Sequence, residues 1–438
     1  MTAGSRLLEV ALGAIILVAT VAITWFRVPG SHRDRVWAED ANIFLAQAIS
    51  DGPWRVLFEG YAGYQHLVPR IVVAGIYPFF DLDDYPRIVY AICAVITGAV
   101  AVAVFALSRD LVPFLPARVA LGLITALIPL ATQETVGNLA DLHTYAMWLA
   151  PWLLLYRPRT WPSSVGWAVV AFLTVMTEIQ AVFFVFLIAF GLRRASRRAW
   201  PVFAGFLVGS VIQGATALVV ERTPGSGPLS VPSTVLGWLI NTVMPLVSAD
   251  PETVRRWVIE SGMTVALLIL VPIIASAVVS MVFGSARQRL LVISLLLGSA
   301  AVYTGSAWAN SGFWFDYANE PLADLGIRLA VNIRYGVAAG MMLAAVLPIA
   351  AAVIRSRRPR NVGALIVASG MSLVTVAVLA YGCTTAISAR GYVDQWSTAV
   401  DEAVRTCSTS TGATEITLPV APDRSVPIAC SDVLALTR

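Results

Sequence analysis

This chain has no lysine, only three histidines and only four cysteines, and few charged residues of any kind. Its 438 residues are 13% charged, about half the share of an ordinary soluble domain, while 58% are hydrophobic. Mean hydropathy is +0.77. A soluble fold with one large core is therefore excluded, and the apolar residues collect in membrane-length runs. Several motifs of soluble enzymes are also missing: there is no phosphate-binding glycine loop with lysine, no His-Glu-x-x-His helix and no Cys-x-x-Cys. The formal charge of +4, carried on the basic side by arginine alone, does not indicate nucleic acid, because much of the arginine lies in short loops between apolar runs.

The arginine clusters mark one side of a membrane: Arg157/Arg159, Arg193/Arg194/Arg197/Arg198, Arg287/Arg289 and Arg355/Arg357/Arg358/Arg360. Placing them all inside gives an all-α polytopic membrane protein of about eleven spans, N-terminus inside and C-terminus outside. Residues 7–26 read as an uncleaved first span rather than a signal peptide, since Thr24-Trp25-Phe26 is no small-residue cleavage site. The transmembrane part covers 1–387, with outer loops at 27–86, 134–140, 221–261 and 308–334. Apolar 67–80 reads as an interfacial helix, 163–191 as a short hairpin with a polar tip at Thr177–Gln180, and 234–246 as a re-entrant piece.

The segment 388–438 reads as a small extracytoplasmic tail in which alternating Ile416, Leu418 and Val420 form a strand. Cys407 and Cys430 would pair there, since disulfides persist outside the cytoplasm. A reduced tail on the inner side would need one span more or fewer.

The outer loops hold nearly all of the unusual polar residues. Glu39 and Asp40 follow the first span; Tyr64, Gln65 and His66 come later in the same loop. Next come Gln133, Glu134, Asn138, Asp141 and His143, then Glu178 at the hairpin tip, then Glu320, Arg328, Arg334 and Tyr335 in the late loop. Ionisable groups at membrane depth are costly, and this favours function over mere solvation. Other roles stay open: Asp40 could cap a helix starting near Ala41, His66 and His143 could bond neighbouring helices, and Glu178 could pair with a structural arginine. The carboxylates could hold a divalent cation, but no spacing demands a metal, and no cofactor is required.

With its acidic pair Glu39-Asp40 in the first outer loop, its many spans, its late-loop Arg328 and Arg334-Tyr335 and its soluble outer tail, the chain resembles the family-C membrane glycosyltransferases, which use polyprenyl-phosphate sugars. The resemblance implies a bacterial plasma-membrane enzyme acting on the extracytoplasmic face. It would pass a sugar to a cell-envelope glycan or lipid acceptor with inversion, Asp40 acting as general base and Glu39 orienting the acceptor or serving as the base instead. Arg328, Arg334 and Tyr335 would bind the donor phosphate; His66, Tyr64, Gln65, Asn138, Asp141, His143 and Glu178 would bind substrate. The competing expectations are a transporter or flippase for a lipid-linked or anionic solute, and a non-catalytic envelope-assembly subunit.

Overall fold

Long apolar runs bounded by proline and polar caps dictate helices, and helices form almost the whole fold. In a computed structural model, the protein is described over residues 3–132, 134–192, 197–222, 225, 227, 230–319, 324–383, 389–409 and 414–437. Gln133, Arg193, Arg194 and Glu320 lie outside the described residues. Among the described residues, seven helices are long and apolar enough to cross a membrane. They are Leu7–Arg27, Leu82–Asp110, Arg197–Val219, Thr264–Phe283, Ala286–Ala309, Leu325–Arg357 and Val362–Gly382. Shorter apolar helices cover Leu67–Ile76, Leu115–Ala131, Trp161–Thr177 and Ile179–Gly191.

Sequence punctuation accounts for most boundaries. Proline enters the first turn of the helices Tyr85–Leu107, Leu115–Leu127, Trp161–Thr177 and Trp200–Val219, where its missing N–H costs nothing. Ser285 and Gln288 form a reciprocal capping box at the start of Ala286–Ala309. The long stretch Leu325–Arg357 is the most buried of the candidate spans and runs through the middle of the bundle.

The apolar stretch 67–80 forms a helix over Leu67–Ile76. The short hairpin is present too, as Trp161–Thr177 followed by Ile179–Phe184 and Phe186–Leu192. The piece near 234–246 is Val231–Leu246, bent by 119° against Pro251–Ser261. The late loop is more ordered than its polar sequence suggests, because helix resumes at Leu325.

The tail is a helix, Trp396–Thr409, a two-stranded antiparallel hairpin of Glu415–Val420 and Arg424–Ala429, and a last helix, Cys430–Leu436. Cys407 and Cys430 form a disulfide with Cα atoms 5.3 Å apart; Cys93 and Cys383 are free.

This tail is not a separate appendage. The N–H of Ala38 donates to the Ala421 carbonyl and the N–H of Ala421 donates to the Val36 carbonyl, each at 2.9 Å. Trp396, fully buried, donates its indole N–H to the Leu82 carbonyl at 2.7 Å, and its backbone N–H to the Asp34 carbonyl at 2.8 Å. The tail thus grips residues 34–38, immediately before Glu39.

Candidate functional site

Seven stretches of the chain converge at one end of the bundle around a cavity of about 360 Å³. The first loop contributes Glu39, and a short hairpin contributes Tyr61, Tyr64 and His66. The hairpin pairs Gly60–Tyr61 with Tyr64–Gln65, and its tight turn uses Gly63 at φ +88°, a conformation that side chains disfavour. The turn at 134–141 contributes Glu134 and Asp141, and the helix that follows it contributes His143. Glu178 and Gln180 come from the tip of the 163–191 hairpin, and Arg222, Arg334 and Tyr335 line the remaining wall.

The 134–141 turn is shaped by two things only glycine and asparagine supply. Gly137 has φ +72°, and a Cβ there would fall 2.0 Å from the Tyr90 ring. The Asn138 side-chain oxygen accepts the Ala140 N–H at 2.9 Å, while its amide donates to Asp141 at 3.0 Å. Arg390, from the segment entering the tail, donates to the Val136 and Gly137 carbonyls. The tail therefore braces both the acidic loop and the turn.

Asp40 and Glu39 point to different places. Asp40 is buried, and its carboxylate accepts the Leu139 N–H at 3.0 Å and the Ala140 N–H at 3.1 Å. Burial pushes its carboxyl up to about 7, against the pull of those amides and of Arg390. A carboxyl near 7 is matched to proton transfer, but geometry comes first, and Asp40 does not line the cavity. Its side chain ties the first loop to the 134–141 turn, and it does not cap its own helix. Glu39 is half-buried, lines the cavity and makes no hydrogen bond or ion pair among the described residues.

The other polar residues sort in the same way. His143 lies between two carboxylates, with Nε2 3.3 Å from Asp141 and Nδ1 2.5 Å from Glu178. Glu178 also accepts the Gln180 N–H at 2.6 Å, so the hairpin tip is fixed by the residue it presents. His66 is buried against Tyr64, ring centroids 4.1 Å apart, and neither of its nitrogens has a hydrogen-bond partner of ordinary geometry among the described residues. Burial drives its imidazole down to about 3, so it is neutral at physiological pH. Arg334 pairs with Glu134, donates to the Tyr335 hydroxyl at 2.9 Å and stacks over that ring. Trp37 also donates to Glu134, at 2.7 Å.

Three expected site residues stand elsewhere. Gln65 anchors the hairpin to the Trp200–Val219 helix through Gln213 and Thr216. Asn138 organises its own turn. Arg328 is buried, donates to the Asp316 carbonyl at 2.9 Å and lies over Tyr317, so it orders the late loop rather than the cavity wall. Arg222 is the residue sequence reasoning missed. It lines the cavity, is exposed and reaches the Asn310 side chain at 3.3 Å. The signal that drew attention to Arg328, a basic residue at the end of the bundle away from the arginine clusters, applied equally to Arg222.

Beside the polar cavity runs an apolar groove of about 610 Å³. Leu17, Ile96, Val100, Leu149, Trp167 and Val170 are among its walls. The two spaces adjoin along three segments. Leu142 lines the groove and His143 the cavity; Thr177 lines the groove and Glu178 the cavity; His66 lines the cavity and Val68 the groove. Among the described residues, no group of three or more His, Cys, Asp or Glu side chains is arranged to hold a metal ion.

Comparison with protein-family models and with curated proteins finds no match for this chain.

Proposed function

We propose that this protein is a membrane glycosyltransferase, similar to family C, that moves a sugar from a polyprenyl-phosphate donor to a cell-envelope glycan or lipid acceptor. The observation that carries this reading is the junction of the charged cavity with the apolar groove. A ligand that fills both has a polar head and a long hydrocarbon chain. The basic residues on the cavity wall, Arg222 and Arg334, suit a phosphate between the two parts.

In this reading Glu39 is the general base. The acceptor hydroxyl loses its proton to Glu39 as its oxygen attacks the anomeric carbon, and the bond from that carbon to the donor phosphate oxygen breaks. The electron pair leaves with the lipid phosphate, whose charge Arg334 and Arg222 stabilise. Attack opposite the leaving phosphate inverts the anomeric centre. Neutral His66 and the Asp141–His143–Glu178 row present hydrogen-bonding groups to sugar hydroxyls. No step requires a cofactor, and a divalent cation would bind, if at all, through the cavity carboxylates.

The same reading assigns about eleven spans, with the N-terminus inside and the tail and cavity on the extracytoplasmic side of a bacterial plasma membrane. The tail disulfide supports that side, since such bonds persist outside a reducing cytoplasm.

Photoreactive polyprenyl phosphate incubated with the purified protein tests the donor class. Crosslinks in segments 96–103 and 167–174, competed by polyprenyl-phosphate sugars, are expected. Crosslinks elsewhere, or competition by water-soluble sugar phosphates just as effective as by the lipid, would overturn the assignment.

A further inference from the structure

A second cavity, of about 660 Å³, lies at the opposite end of the bundle. Its position follows from the helices it shares with the candidate site. His143 opens the Leu142–Leu155 helix at the first site, and Leu154 and Leu155 close that helix at the second. Gly305 to Ala309 end the Ala286–Ala309 helix at the first site, and Ala286 to Leu290 begin it at the second. That helix, at 24 residues, spans about 36 Å, so the two cavities lie at opposite ends of a membrane-length helix. Between them the fully buried Phe184 packs so closely on Gly298 that a Cβ there would lie 2.7 Å from the Phe184 ring.

The second cavity combines apolar walls with uncompensated positive charge. Phe186, Phe190 and Phe203 line it, together with Arg157, Arg287 and Arg289. No acidic residue lines it among the described residues. Two carboxylates on this side are already taken. Arg159 holds Asp110 at 2.7 Å, and Arg109 and Arg118 hold Glu9 at 3.0 and 2.8 Å. Arg157 makes no hydrogen bond or ion pair among the described residues. Arg287 and Arg289 reach only main-chain carbonyls, those of Leu155 and Val282. Three guanidinium groups around one apolar cavity repel one another unless an anion lies among them.

We infer that this cavity is a binding site for an anionic phospholipid, with its phosphate among Arg157, Arg287 and Arg289 and an acyl chain against the three phenylalanines. Charge complementarity selects the head, and the apolar wall selects a lipid over a soluble anion. The site is separate from the proposed transferase cavity and does not depend on its chemistry.

Native mass spectrometry of the full-length protein in detergent, titrated with phosphatidylglycerol or phosphatidylcholine, tests the inference. Wild type is expected to retain phosphatidylglycerol at least tenfold better than phosphatidylcholine. Arg157→Gln, which breaks no contact within the protein, is expected to lower that retention several-fold, and Arg157→Gln with Arg289→Gln to abolish the preference. Leu154→Trp, which fills the cavity but leaves every arginine, is expected to lower retention as well. Equal retention of the two lipids, unchanged retention in the double variant, or displacement of the bound lipid by millimolar inorganic phosphate would each overturn the assignment.

Discussion

Asp40 offers the sharpest separation between a structural and a catalytic carboxylate. Its two oxygens accept the N–H groups of Leu139 and Ala140. Ala140 has a second acceptor in Asn138, but Leu139 has no other recorded. Asp40→Ala therefore leaves one buried N–H without an acceptor, a loss of about 1–3 kcal/mol. At pH 4, where the wild-type carboxyl is protonated, Asp40→Asn keeps an oxygen for Leu139, so its stability there should fall within about 1 kcal/mol of wild type. The pH dependence follows from the raised carboxyl, which moves from 3.8 to about 7 on folding. Between those values the folded protein holds a proton that the unfolded chain has released. Stability from this group is therefore complete below about pH 4 and is lost as pH rises toward 7, a decline on the order of 4 kcal/mol that Asp40→Asn should lack. Thermal unfolding of the three proteins in detergent from pH 4 to pH 8 measures all of this. Equal destabilisation by Ala and Asn at pH 4, with the same pH slope in Asp40→Asn as in wild type, would refute the reasoning.

Other consequences are equally open to measurement. Gly137→Ala places a methyl group against Tyr90 at a positive φ and should lower stability by several kcal/mol; yield of monodisperse protein and its unfolding midpoint would show this. Reducing the Cys407–Cys430 bridge, which spans 23 residues, should cost the tail about 3 kcal/mol; limited proteolysis of the tail with and without reductant reads it. Arg222→Gln should weaken binding of a polyprenyl phosphate at least several-fold with little change in unfolding temperature, because the side chain is exposed and its hydrogen bond among the described residues, to Asn310, is a long one of 3.3 Å. A variant as unstable as it is weak in binding would make that arginine structural.

Much of the architecture was legible because apolar runs, arginine clusters and prolines are local signals. The short hairpin with its tip at Glu178, the apolar helix after His66 and the pairing of Cys407 with Cys430 all follow from such signals. The candidate site was legible as a set of segments but not residue by residue. Sequence shows that Glu39 and Asp40 are adjacent; it does not show that one faces a cavity while the other is drawn 99 residues away to the Leu139 amide. Arg328 and Arg334 look alike in sequence, yet one is spent on the Asp316 carbonyl and the other reaches Glu134 on the cavity wall. The grip of the tail on residues 34–38 is also invisible in sequence, because it joins segments far apart in the chain, through main-chain bonds at Val36 and Ala38 and the Ser397 hydroxyl on Asp34.

The most direct test of the central claim is sugar transfer by purified protein in liposomes supplied with polyprenyl-phosphate sugars and a cell-envelope acceptor extract. Wild type and Asp40→Asn, compared at equal folded fraction, should both transfer, and Glu39→Gln should be slower by a factor of 100 or more, on the order of a lost general base. Transfer by Glu39→Gln at the wild-type rate would contradict the account, and its coincidence with collapse in Asp40→Asn would return the role of base to the buried carboxylate.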